Sequence, residues 1–251
     1  MLALTRQCID WIRGQFEGIP DGKAIIGISG GKDSTVAAAL CVAALGADRV
    51  IGVLMPQGKQ KDINDSYEVV ASLKLQYHEI NIGNTCDTLY NSINKAVFLC
   101  CGKDGGVESN AMVKTNLPAR IRMTTLYAIA ALYPNSRVVN TCNLSEDFVG
   151  YSTKYGDAAG DFSPLGNLTV KEVLMIGDDL GLPRHLVHKA PSDGMCGKTD
   201  EDNLGFSYEE LDGFLLGESG LSPETMRKVA RLHRITRHKY IPIPTFKKGE
   251  L

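Results

Sequence analysis

The sequence predicts an open α/β sheet of parallel strands with helices on both faces. Short apolar runs rich in β-branched residues alternate with helix-length segments along the chain. A strand–helix–strand order joins parallel strands through right-handed crossovers. The most polar segments directly follow the predicted strand ends, where ligands bind in open sheets of this kind.

From the N-terminus, residues 2–17 read as an amphipathic helix with Leu2, Ile9, Ile12 and Phe16 on its apolar face. Pro20-Asp21-Gly22 is a turn signal. Residues 23–29 read as a buried strand, and the glycines that follow open a buried helix through Leu45 that Gly46 ends. A second strand spans 49–55 and stops at Pro56. A helix over 64–75 and a third strand over 77–82 follow. Residues 83–99 predict a helix, 101–109 a glycine-rich loop, 116–133 a long helix and 137–141 a fourth strand. Residues 143–167 read as largely irregular and 168–180 as a helix ended by Gly181 and Pro183. A loop over 189–206 precedes two closing helices, about 207–216 and 223–238, the second with Pro223 suited to its first position.

A chain of 251 residues suits one domain, expected here to span 1–251. With 43% hydrophobic and 22% charged residues it has the balance of a soluble globular protein. A net charge of -2 gives no overall positive field to draw nucleic acid or an anionic membrane, and no apolar run reaches spanning length. The seven cysteines are odd in number and form no C-x-x-C pair, so reduced thiols in the cytoplasm are expected rather than a disulfide scaffold or zinc ribbon.

The strongest local signal is Gly27-Ile28-Ser29-Gly30-Gly31-Lys32-Asp33-Ser34, set between a predicted strand and helix. Paired glycines permit positive φ and close approach to a ligand. The N–H groups, the helix start and the Ser29 and Ser34 hydroxyls suit an anion. Lys32 is also compatible with a solvated position. The loop is not a Walker A motif, because Lys32 is followed by Asp33 and Ile26 stands where that motif needs glycine. Asp33 would repel a phosphate unless a cation such as magnesium lay between them. The alternative is a glycine turn in which Asp33 merely caps the helix.

This S-G-G-x-D-S string resembles the pyrophosphate loop of the N-type ATP pyrophosphatases. The later strings Asn116-Leu117-Pro118-Ala119-Arg120, Thr141-Cys142-Asn143-Leu144-Ser145-Glu146, Gly150-Tyr151-Ser152-Thr153-Lys154-Tyr155-Gly156-Asp157 and Asp161-Phe162-Ser163-Pro164-Leu165 select one branch: the chain resembles the ammonia-dependent NAD synthetases from the loop to His238-Lys239. The resemblance implies a Rossmann-like sheet of the adenine nucleotide alpha hydrolase-like type. It implies a ligase that adenylates deamido-NAD with ATP and amidates it with ammonia. It further implies that Gly27, Ile28, Ser29, Gly30, Gly31, Lys32, Asp33, Ser34, Gln60, Thr141 and Ser192 contact ATP. Asp33 and Glu146 would hold Mg2+, and Arg120, Lys154, Asp161, His238 and Lys239 would contact deamido-NAD. A cytoplasmic homodimer is implied too. Glutamine-using relatives carry an amidohydrolase domain for which 251 residues leave no room, so free ammonia is the expected donor.

Two positions depart from the family pattern. Val170 stands where many members carry an ATP-contacting lysine, with Lys171 directed elsewhere on the helix, and Leu54 replaces a common arginine. Arg120 and Arg122 are also compatible with solvated helix positions, as are Arg227 and Arg231. Cys142 lies beside the expected site with no histidine placed to activate it. Another adenylating amide ligase and a nucleotide-binding regulatory protein with the same loop are the competing readings.

Overall fold

The computed structural model describes residues 1–101, 111–189, 200–246 and 248, with backbone alone at 98–101 and 111. The helices are α1 (Ala3–Gln15), α2 (Lys32–Leu45), α3 (Ile63–Ser72), α4 (Gly83–Cys101), α5 (Ala111–Ala130), α6 (Leu144–Val149), α7 (Val170–Asp179), α8 (Arg184–Val187), α9 (Asp200–Leu204), α10 (Tyr208–Leu215) and α11 (Pro223–Thr236). The strands are β1 (Ala24–Gly27), β2 (Val50–Leu54), β3 (Gln76–Glu79) and β4 (Arg137–Val138).

All pairings are parallel, in the order β3-β2-β1-β4. Alternation along the strands assigns the two faces. Ala24, Ile26, Val50 and Leu54 join a core with Ile12 of α1, Leu40 of α2 and Ile176 of α7. Ile25, Ile51 and Val53 point the other way, onto Cys86 of α4 and Met123 and Leu126 of α5. A third, smaller cluster joins α6, the start of α7, and α9, α10 and α11 through Val149, Val170, Leu204, Phe206, Leu211 and Val229.

The chain leaves β1 toward β2 and β3, then returns through α4 and α5 to the opposite side of β1. The loops after β1 and β4 therefore diverge and leave a crevice at the strands' carboxyl ends, the usual ligand position in such sheets.

Departures from expectation have local causes. α5 begins before Asn116 and runs through Pro118. Proline cannot donate to the carbonyl one turn back, at Lys114. The Tyr90 hydroxyl of α4 supplies that donor, 3.0 Å from Lys114 O. β4 is shorter than expected because Asn140 turns its side chain onto the Asp157 and Ala159 carbonyls, at 2.7 and 2.9 Å. The segment at 161–162 takes over the edge, with Asp161 N donating to Val138 O and Asn140 N to Phe162 O. Gly160 permits this approach, since a Cβ there would stand 2.7 Å from Asn140 Cβ. The stretch expected to be largely irregular contains α6, and the one expected as a loop over 189–206 contains α9. The loop expected at 101–109 falls almost wholly outside the described residues, as does Ser192.

Candidate active site

β1 delivers the loop at 27–34 into the crevice. Gly30 lies at φ 79, and a Cβ there would meet Asp65 Cβ at 2.7 Å, so the loop is pressed against the start of α3. Its hydroxyls tie it internally. Ser29 Oγ lies 3.0 Å from Ser34 Oγ, Gly31 N donates to Ser29 Oγ, and Ser34 Oγ donates to Gly31 O. The turn is thus pre-shaped at the N-terminus of the 14-residue α2, where backbone N–H groups lack helical partners.

β4 delivers Thr141 and then α6, whose N-cap is Asn143. The fully buried Asn143 side chain works in two directions. Its Oδ1 accepts from Glu146 N at 3.0 Å, and its Nδ2 donates to Asp33 Oδ1 at 3.0 Å. One amide therefore registers both carboxylates expected to hold a metal. Neither charge count nor resemblance assigned Asn143 a role. The legible signal was the Asn-x-x-Glu spacing of a helix N-terminus.

Lys32 is not solvated: only 6% of it is exposed. Its Nζ lies 2.7 Å from Asp33 Oδ2 and 3.5 Å from Glu146 Oε1, and about 6.0 Å above the Tyr208 ring. Burial opposes the charge, but the two carboxylates overcome it and hold the ammonium above its ordinary range. Burial and then the negative charge of Asp33 push Glu146 up to about 8. The pair of hard oxygen donors fits Mg2+, which commonly takes one or two carboxylates plus phosphate oxygens.

Gln60 Nε2 donates to Asp62 Oδ1 at 3.0 Å. Asp62 and Asp65 both pair with Lys189, at 2.9 and 2.6 Å, which secures the chain just before residue 190 beside α3. Lys189 stands three residues before Ser192, the expected ATP contact, with no motif of its own to mark it.

Three residues expected to contact deamido-NAD are linked. Arg120 Nε donates to Lys154 O at 3.1 Å, and Lys154 Nζ donates to His238 O at 2.7 Å. His238 Nδ1 donates to Ile235 O at 3.1 Å, which fixes the orientation of the ring. Lys239 Nζ donates to Gly150 O and Ser152 O at 2.6 and 2.7 Å and so braces the turn after α6. Asp161 stands at the edge of β4, accepting from Tyr127 OH of α5 at 3.1 Å and Val138 N at 2.7 Å. It also lines a cleft of about 520 Å³ with Asp147, Phe148, His233 and Tyr240.

Arg122 is partly buried and donates to Met55 O at 3.2 Å, whereas Arg227 and Arg231 are exposed. Lys171 does point away, pairing with Glu218 on the surface. Cys142 is buried, its thiol donating to Asp157 O, and burial raises its pKa well above the ordinary value, which leaves it a poor nucleophile.

A parallel sheet with a glycine-rich loop and paired carboxylates at its switch point defines a nucleotide-binding α/β enzyme. The chain matches the NAD synthase family over residues 4–242 and belongs to it. It is 38% identical to an NH(3)-dependent NAD(+) synthetase of Methanocaldococcus jannaschii, over 91% of this chain and 86% of that one. Among solved structures it is similar to an NMN synthetase from Francisella tularensis (TM-score 0.85, 31% identity, 96% of each chain). It is also similar to an NH3-dependent NAD synthetase from Campylobacter jejuni (TM-score 0.74, 28% identity, 97% of each chain). The fold is accordingly adenine nucleotide alpha hydrolase-like, and among the described residues no helix is long and apolar enough to cross a membrane.

Proposed function

We infer that this chain is a ligase that amidates the nicotinate carboxylate of deamido-NAD, using ATP and free ammonia, in the last step of NAD synthesis. Family membership sets the reaction, and the observation that carries its location is the meeting of Asp33 and Glu146 at the sheet's switch point.

A free carboxylate is a poor acyl donor because its oxygen leaves badly. Attack of that oxygen on the α-phosphorus of ATP expels pyrophosphate and forms an acyl adenylate. Ammonia then attacks the acyl carbon, the bond to AMP breaks, and loss of a proton from nitrogen leaves the amide. The protein supplies position and charge complementarity rather than a covalent group.

The loop at 27–34, with Gln60, Thr141 and Ser192, binds ATP. Asp33 and Glu146 would hold Mg2+, which would supply charge neutralisation at the phosphates. Arg120, Lys154, Asp161, His238 and Lys239 hold deamido-NAD, where guanidinium and ammonium groups suit a diphosphate and a carboxylate. The exposed apolar side chains Leu89, Met112, Tyr127 and Leu132 on and beside α4 and α5 support a homodimer. Four buried free cysteines support a reducing, cytoplasmic setting.

The test is NAD formation from ATP, Mg2+ and deamido-NAD, with ammonium and glutamine compared. Activity with ammonium but not glutamine is expected, and Asp33→Asn removes it while leaving the thermal transition in place. No NAD with either donor from folded protein overturns the reading.

The structural similarity to an NMN synthetase favours a second reading, in which the acceptor is the mononucleotide acid. Rates with nicotinate mononucleotide and deamido-NAD, measured side by side, decide between the two.

A further inference from the structure

Lys32 and a metal ion cannot both use this carboxylate pair. The ammonium sits within 3.5 Å of an oxygen from each acid, and only 7% of its side chain is exposed. A magnesium ion on the same oxygens would stand about 2.0–2.1 Å from them. That would press two positive charges together in a poorly solvated space floored by the Tyr208 ring. Like charges held that close repel strongly where water is scarce.

Lys32 also has little latitude along its backbone. It is the first residue of α2, and the loop before it is fastened by the Ser29–Ser34 hydroxyl contact. Release of the carboxylates must therefore come from a swing of the flexible four-carbon side chain. The N–H groups at the start of α2 lie beside it, so an anion drawn to them would receive the ammonium as it leaves.

We propose that Lys32 is a tethered cation that holds the metal's place between Asp33 and Glu146, and yields it only when nucleotide phosphates arrive to take up the ammonium. This rests on the assignment of Asp33 and Glu146 as metal ligands. In the absence of nucleotide Lys32 keeps the two acids from repelling each other. Metal and nucleotide then enter as a coupled pair, and metal alone binds poorly. Lys32 acts here as a positioning residue whose effect is read in binding.

The experiment measures Mn2+ binding by the paramagnetic resonance signal of the free ion. It uses the full-length wild-type chain, Lys32→Met and Lys32→Gln, with and without a non-hydrolysable ATP analogue, and thermal unfolding confirms that each is folded. Without nucleotide, both substitutions should tighten Mn2+ binding by about ten-fold or more. With the analogue present the advantage should vanish or reverse, because the ammonium then assists the phosphates. Lys32→Gln keeps a polar group for the carboxylates if Lys32→Met folds poorly. Asp33→Asn separates the place-holding role from the metal assignment. If, with the analogue present and the Mn2+ held by the analogue alone subtracted, it abolishes Mn2+ binding while the Lys32 variants without nucleotide bind no more tightly than wild type, the place-holding role is overturned and the metal assignment stands. If under the same conditions Asp33→Asn binds Mn2+ like wild type, the metal assignment itself fails, and the place-holding role fails with it.

Discussion

Asn143 uses both ends of one amide, its oxygen on the Glu146 N–H and its nitrogen on the Asp33 carboxylate. Aspartate at this position could still cap α6, but its second oxygen would face Asp33 with like charge. Alanine would remove the cap, which costs about 1 kcal/mol, and would release Asp33 as well. Asn143→Ala is therefore expected to lower the thermal midpoint modestly and NAD formation by more than about ten-fold, a larger effect than loss of a cap alone gives. Equal turnover in the variant and the wild type would assign Asn143 to folding only. Gly150 makes the complementary point at the other end of the same helix. It sits at φ 67, and a Cβ there would lie 2.1 Å from Thr236 Cβ on α11. Gly150→Ala should destabilise the protein by about 2 kcal/mol or more, as strain and overpacking combine, and chemical unfolding will show it.

At the scale of elements, the long helix α5 survives an internal proline because a neighbour replaces the missing donor. Removing that donor with Tyr90→Phe is expected to cost about 1 kcal/mol, seen as a lower urea midpoint with unchanged slope. The same helix marks what the sequence could reveal. Its apolar residues announce a helix from 116 onward; a proline at 118 disfavours turns before it, and the compensating hydroxyl comes from another helix. β1 and β2 were legible because they are buried on both faces and read as continuous β-branched runs. β4 was legible in position but not in length, since its end depends on Asn140 bonding to carbonyls of residues 157 and 159. The phosphate loop announced itself by composition. The reach of Asn143 to Asp33 and the burial of Lys32 did not, because both depend on strands β1 and β4 lying side by side.

Across the whole molecule, the buried Asp212 ties α10 to two other helices, accepting from Ser145 Oγ and from Lys171 N. Burial pushes its carboxyl above the usual range. The folded protein then holds this proton more readily than the unfolded chain does. The group's contribution to stability is present below the ordinary carboxylate range and is lost as pH rises through the raised value. Asp212→Asn should therefore flatten the fall of the unfolding midpoint as pH rises above the ordinary carboxylate range. The pairing between β1 and β4 has a different consequence. It rests on only two register pairs, Ala24 with Arg137 and Ile25 with Val138, whereas β1 and β2 share four. The crevice lies across the thinnest seam of the sheet, and the residues expected to bind nucleotide and metal stand on both of its banks. A bound nucleotide would then act as a staple. Amide hydrogens of Val139 and Asn140 should exchange more slowly once ATP and metal are present, while those inside β2 change little. The substrate, on this view, finishes the architecture that receives it.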